Sequence, residues 1–319
     1  MGGLIRQLQF TDLLVNLANP HECVVKGAPG LPLLAPLPPE FADEIQTLSH
    51  ELVSTGNGRR EFGLFFDGIG YRVARIATLK GEWCALRRSM ETIPSLETLG
   101  FPSAIAQRLC SEGLKSGLVV FCGRMDSGKT TSASSLVVER LQRFGGHAVA
   151  LEDPPELPLH GWHGQGLCLQ REVGDRDFAA AITQTLRLAA PEIIYIGELR
   201  EPDEVSQALR AAINGHLIVS TVHSAGVMEA IQRLAALGRV KDGDFALSML
   251  ADGLSAIIHQ SLESHDPAKP GAKRRLSLKF LFLEKESTGP RSKIRTNEIH
   301  QLGTDIQAQR NLLMLQQAR

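Results

Sequence analysis

The sequence predicts an α/β protein, a mostly parallel sheet covered by helices and preceded by a smaller α+β domain. Three observations predict it. From residue 103 onward, short apolar runs of strand length alternate with longer stretches of helical periodicity, as happens when parallel strands are joined through crossover helices. Gly123-Arg-Met-Asp-Ser-Gly-Lys-Thr130 stands between one such run and the helical stretch after it. The first 95 residues break the alternation, with Pro- and Gly-rich turns over 27–39. The domain reading is therefore 1–95 for the α+β domain, 96–102 for a linker and 103–319 for the α/β domain with its C-terminal helices.

In the first domain the apolar runs are short, Phe62-Gly-Leu-Phe-Phe66 and Tyr71-Arg-Val-Ala-Arg75. The stretch 91–102 reads as a linker entering a short helix. Strands are expected at 118–122, 147–152, 193–197 and 217–222. Helices are expected at 130–144, where Leu136, Val137, Leu141 and Phe144 share a side, and at 177–189, 202–213, 225–237 and 244–262. Lys269-Pro-Gly-Ala-Lys-Arg-Arg275 reads as a turn and a charged run. It leads into the alternating Leu276-Ser-Leu-Lys-Phe280, an exposed hairpin, and 298–317 reads as a final amphipathic helix. In such a sheet ligands sit beyond the carboxyl ends of the strands, and the motifs below fall at those ends.

The chain's 319 residues suffice for two domains, and 43% hydrophobic with 22% charged residues fits a soluble globular protein. Lys+Arg 34 against Asp+Glu 35 argues against a strongly basic nucleic-acid binder. No apolar run reaches the length of a membrane span. Met1-Gly-Gly-Leu-Ile-Arg6 lacks the apolar core of a signal peptide, and Arg6 spoils a myristoylation site. The five cysteines, Cys23, Cys84, Cys110, Cys122 and Cys168, are scattered, with no C-x-x-C pair. They are expected as reduced thiols of a cytosolic protein, without zinc.

The segment from Gly123 to Thr130 fits G-x-x-x-x-G-K-[ST], behind the strand Leu118-Val-Val-Phe-Cys122 and ahead of a helix. Strand, glycine loop and helix are what polyphosphate binding needs. Successive backbone N–H groups from Gly123 through Ser127, Gly128 and Thr131 wrap phosphate oxygens, and the helix start adds the positive end of its dipole. Lys129 reaches the β- and γ-phosphates, and the Thr130 hydroxyl holds Mg²⁺. The expected ligands are ATP and Mg²⁺.

Hydrolysis needs one carboxylate to orient water and another on the Mg²⁺ side. Ala150-Leu-Glu152-Asp153-Pro-Pro-Glu156 and Ile193-Ile-Tyr-Ile-Gly-Glu198 close two strands. Glu198 fits the Mg²⁺ side, and Glu152 and Glu156 are the candidates for water. Gly215-His216-Leu-Ile-Val-Ser-Thr-Val-His223 ends a further strand. His223 there is a candidate γ-phosphate sensor. His216 reads equally as a structural histidine, and no third ligand at a familiar spacing supports zinc.

In this order and spacing the blocks resemble the PilT-like branch of the type II/type IV secretion (traffic) ATPase superfamily, over about 65–260. Leu151-Glu-Asp-Pro-Pro-Glu156 is similar to its Asp box, Gln170-Arg-Glu-Val173 to the segment after it, 193–200 to a Walker B ending Gly-Glu, and 215–223 to its His box. The resemblance implies a RecA-like P-loop ATPase domain behind a PAS-like N-terminal domain. It implies Glu152 as general base, Glu198 as the Walker B carboxylate, and His223 as the link between nucleotide state and domain position. Arginines of the N-terminal domain complete a nucleotide pocket in that family, and Arg72 and Arg87 resemble them. It further implies a hexameric ring at the cytoplasmic face of the inner membrane, working on a platform protein of a pilus or secretion system without entering the bilayer.

The chain departs from the family at several places. Arg124-Met125-Asp126 replaces the usual Pro-Thr-Gly, putting a carboxylate and a non-glycine backbone in the loop. Ala190 stands where Asp is common. Lys293-Ile-Arg-Thr-Asn-Glu-Ile299 matches the retraction signature only in part. The tetracysteine module of assembly ATPases is missing from the sequence. A pilus retraction motor is the first reading. A conjugation or type IVB secretion ATPase, a nucleotide-binding ring with poor hydrolysis acting as a regulator, and a nucleic-acid motor are its rivals.

Overall fold

The structure, a computed structural model, describes residues 5–174, 177–188, 190–264, 274–284 and 286–317. The readings at Met1 and Gly2, at Ala189 and over 269–273 lie outside them. By internal contacts the chain forms two units, Met1–Thr92 with Asp153–Pro158, and Ile93–Glu152 with Leu159–Arg319.

The N-terminal unit contains β1 (Asp12–Asn16), β2 (Val24–Lys26), β3 (Leu34–Pro36), α1 (Ala42–Gly56), β4 (Glu61–Phe66), β5 (Ile69–Thr78) and β6 (Gly81–Arg88). Its strands form an antiparallel sheet in the order β3-β2-β1-β6-β5-β4. Alternation sets the faces: Ile69, Tyr71 and Val73 of β5 are buried while Arg72 points out. Helix α1 turns Ile45, Leu48 and Leu52 inward at helical spacing, into one core with Leu13, Val15, Phe62 and Leu86.

The second unit runs α2 (Ser103–Leu109), β7 (Gly117–Gly123), α3 (Lys129–Phe144), β8 (Gly146–Glu152), β9 (Gly161–His163), β10 (Gly166–Glu172) and α4 (Phe178–Leu188). It continues with β11 (Ile193–Ile196), α5 (Pro202–Ile213), β12 (Leu217–His223), α6 (Val227–Asp242), α7 (Phe245–Gly253), β13 (Leu254–Ser264), β14 (Arg274–Phe282), α8 (Thr288–Arg295) and α9 (Gly303–Gln317). The sheet order is β14-β13-β7-β12-β11-β8-β10-β9. Pairings from β13 to β10 are parallel, and β14 and β9 add antiparallel edges.

Every residue of β7 is buried, because a central parallel strand has helices on both faces. Leu118, Val120 and Cys122 pack into one core with Leu209 of α5, Ile231 of α6 and Leu250 of α7. Val119 and Phe121 face the other way, into a core with Ile105 of α2 and Leu136, Val137 and Leu141 of α3. Phe144 does not join that stripe; it is exposed, with the Arg140 and Arg143 guanidinium groups over its ring.

The expected strands and the helices 130–144, 177–189 and 202–213 are found close to their expected bounds where described. The helix expected at 225–237 runs on to Asp242. The helix expected at 244–262 is a correction. Helix ends at Gly253, and Leu254–Ser264 is a strand between β7 and β14. Leu247, Leu250, Leu254 and Ile257 suit helical spacing, but β-branched Ile257 and Ile258 gain more by filling the sheet. The segment 276–280 belongs to β14, and Phe280 is buried rather than part of an exposed hairpin. The C-terminal tail splits at Gly303 into a single tight turn, Ile299–Leu302, and α9. Among the described residues no helix is long and apolar enough to cross a membrane.

Candidate active site

Parallel register brings the carboxyl ends of four strands to one edge. His223 of β12 pairs with Gly123 of β7, and Ile196 of β11 lies opposite both Ser220 and Leu151. Gly123, His223, Glu198 and Glu152 thus stand on neighbouring strand ends. The Thr221 hydroxyl donates to the Gly197 carbonyl at 2.7 Å, fixing β11 to β12 just before Glu198.

Between β7 and α3 the loop folds back as a tight turn. Ser127 N–H donates to the Arg124 carbonyl at 3.4 Å, Asp126 is left-handed at φ +58°, and Gly128 at φ +82°. Helix α3 begins at Lys129, so the first amides of its opening turn lack acceptors within the helix. These are the donors that phosphate binding requires. Thr130 and Thr131 stand in that first turn, half-buried.

Lys129 is buried. Its Nζ donates to the Arg124 carbonyl at 2.7 Å and stands 3.4 Å from His223 Nδ1. His223 Nε2 stands 3.6 Å from Glu198 Oε2, which also accepts from Arg200 Nε at 2.9 Å. With an ammonium on Nδ1 and a carboxylate facing Nε2, the neutral ring carries its proton on Nε2. Glu152 is buried and accepts from Gln170 Nε2 at 2.7 Å. The Gln170 amide thus steadies and orients this carboxylate.

The structure brings together Gly123, Ser127, Gly128, Lys129, Thr130, Thr131, Glu152, Glu198 and His223 in one unit. Glu156, Arg72 and Arg87 belong to the other. There Arg72 pairs with Glu61 at 2.8 Å and with Glu156 at 3.4 Å, and Arg87 Nε pairs with Asp12 at 3.0 Å. His216 Nδ1 is 2.8 Å from the Pro191 carbonyl, which gives it a structural bond. Burial pushes the Cys122 thiol, behind the loop, up to about 12.

Three side chains escape a linear reading. Gln170 and Arg200 stand inside recognised blocks, but nothing in the sequence says which carboxylate each will meet. Gln260, on β13, donates through Nε2 to the Ser127 carbonyl at 2.6 Å. It was hidden in the stretch expected as helix.

Residues 57–298 match the family described as Type II/IV secretion system protein. The chain is 30% identical over 299 residues to the type IV pilus ATPase PilU of Pseudomonas aeruginosa, covering 92% of this chain and 75% of that one. It is 31% identical over 264 residues to the uncharacterized protein YggR of Escherichia coli K12, covering 81% of this chain and 76% of that one. The crystal structure of the pilus retraction motor PilT with bound ADP superposes with a TM-score of 0.76 at 26% identity, covering 95% of this chain and 87% of that one.

Proposed function

The chain belongs to the Type II/IV secretion system protein family, and from that premise we propose that it is an ATP-hydrolysing ring motor of the PilT-like kind. It drives a type IV pilus, as a retraction motor, from the cytoplasmic face of the inner membrane. The observation that carries this is the line Lys129, His223, Glu198, with gaps of 3.4 Å and 3.6 Å, at the mouth of a glycine loop. One histidine there touches both the phosphate-side cation and the metal-side carboxylate.

ATP phosphates take the amides from Gly123 to Thr131, and Lys129 exchanges the Arg124 carbonyl for phosphate oxygen. Thr130 and Glu198 are hard oxygen donors of the kind Mg²⁺ accepts. Among the described residues no cluster of His, Cys, Asp or Glu is arranged to hold a metal by itself. The ion would take its other oxygens from phosphate and water, and it would neutralise charge on the transferred group. Glu152, steadied by Gln170, accepts the proton of the attacking water. His223 reports the γ-phosphate to Glu198. In the assembled ring, a hexamer, Arg72 and Arg87 supply guanidinium groups to phosphate, and turnover becomes rigid-body movement acting on a membrane platform protein.

A second reading is a nucleotide-binding ring that turns over slowly and regulates. The left-handed Asp126 and the Lys129 bond to its own loop favour it. Steady-state phosphate release in magnesium separates the two. Lys129→Ala and Glu198→Gln should each lower turnover at least about a hundredfold. Wild-type turnover no higher than theirs would replace the motor with the regulatory ring.

A further inference from the structure

We infer that Gln260 is a positioning residue for nucleotide binding: a strut on β13 that sets the direction of the Gly128 amide. The inference rests on the nucleotide-binding reading above and adds to it a side chain 133 positions away from the carbonyl it grips.

The geometry is that of a strand pressed under the loop. His259 pairs with Cys122 in parallel register, so Gln260 comes level with Gly123. A Cβ on Gly123 would collide with the Gln260 carbonyl and stand 2.6 Å from Ser127 Oγ. A Cβ on Gly128 would stand 3.2 Å from Gln260 Nε2. Both motif glycines therefore leave room for the same residue. Gln260 is 1% exposed, and its Nε2 meets the Ser127 carbonyl at 2.6 Å. Only the NH₂ end of an amide can bond a carbonyl, so the side chain has one allowed orientation.

A trans peptide is planar, with C=O and N–H on opposite sides. Holding the Ser127 carbonyl against β13 aims the Gly128 N–H away from β13, into the cradle of the loop. A loop without the strut can turn that peptide over, and the cradle then shows an oxygen to the phosphate. Turning costs little at Gly128, whose φ of +82° is a glycine conformation. The bond is thus a device for keeping a mobile peptide in the anion-binding sense.

The test uses the full chain and a fluorescent mant-ADP titration with magnesium. Gln260→Met keeps the length and removes the donor; affinity should fall roughly tenfold, the worth of one buried hydrogen bond. In Gln260→Glu, the neutral carboxyl donates to the Ser127 carbonyl and the ionised one cannot. The ratio of its affinity to wild type should start near one at about pH 5 and fall roughly tenfold by about pH 8.5, since burial raises the carboxyl's pKa. An ionised carboxyl here also repels phosphate, so the Glu profile is read together with the Met variant, which is neutral and isolates the loss of the hydrogen bond. If the Met variant does not fold, Gln260→Leu, neutral and without a donor, takes its place. A flat Glu ratio, or a folded Met variant within about twofold of wild type, overturns the inference. Wild type that takes up no mant-ADP overturns the nucleotide reading along with it.

Discussion

Asp126 stands where two opposed physical effects can be weighed. Its left-handed backbone, φ +58°, costs an L-residue roughly 1–2 kcal/mol, and glycine in its place costs a similar amount in unfolded-chain entropy. The two nearly cancel, so Asp126→Gly should leave stability within about 1 kcal/mol of wild type. Charge does not cancel. A carboxylate about 6 Å from a polyphosphate costs about 0.7 kcal/mol per unit of phosphate charge, even in water. Asp126→Gly should therefore tighten mant-ADP binding by roughly tenfold in dilute salt, with the gain shrinking as salt is added. Unchanged affinity would show that this side chain turns away from the phosphates. Lys129, Thr130, Glu152, Glu198 and His223 were legible as candidates because each belongs to a short local pattern with a chemical reason. Gln170, Arg200 and Gln260 were not, because their partners are chosen by tertiary packing.

Helix α5 shows how one element supports the site without touching the chemistry. It opens with Glu201, Pro202 and Glu204 in a capping box. Glu204 is buried, and it accepts the Arg200 N–H at 2.8 Å and the Glu201 N–H at 3.1 Å. It thereby fixes the backbone two residues beyond Glu198. Burial raises the Glu204 pKa, and the two N–H groups only partly offset it. The folded state then holds the proton more tightly than the unfolded one. That stabilising contribution is fully present below the ordinary carboxyl value of about 4.3 and is lost as pH rises through the raised value. Glu204→Gln keeps the acceptor and removes the charge. Its unfolding free energy, from urea titration, should exceed wild type at about pH 8 by up to about 1 kcal/mol and converge on it near about pH 4. Glu204→Ala should lose about 1–2 kcal/mol at both. A Gln variant weaker than wild type at the higher pH would refute the burial argument. Strands such as β7 were readable as bare apolar runs of the right length. The α7–β13 boundary was not, because an apolar stretch of that length satisfies either period until its neighbours exist.

The buried cores of the two units make a prediction for the whole molecule. Cys23 and Cys84 lie in the core of the N-terminal unit; Cys110, Cys122 and Cys168 lie in those of the second. All are buried. Burial pushes Cys84 up to about 11 and Cys110, Cys122 and Cys168 up to about 12, and raises Cys23. Thiols react as thiolates, so the native protein at about pH 8 should resist maleimide. Pulsed labelling through a urea series should then release the thiols as a pair and a trio. Simultaneous release of all five would mean one cooperative unit instead. The alternation of strand and helix foretold an α/β body after an α+β one. The hexapeptide Asp153–Pro158 escaped notice, since nothing in Asp-Pro-Pro-Glu-Leu-Pro says which body will claim it. Its membership in the first unit means the backbone is stitched across three times, after residues 92, 152 and 158. A protease that nicks the chain once between Thr92 and Ile93 should therefore free nothing. The cleaved product should travel as a single species on a native column and come apart into two bands only in detergent.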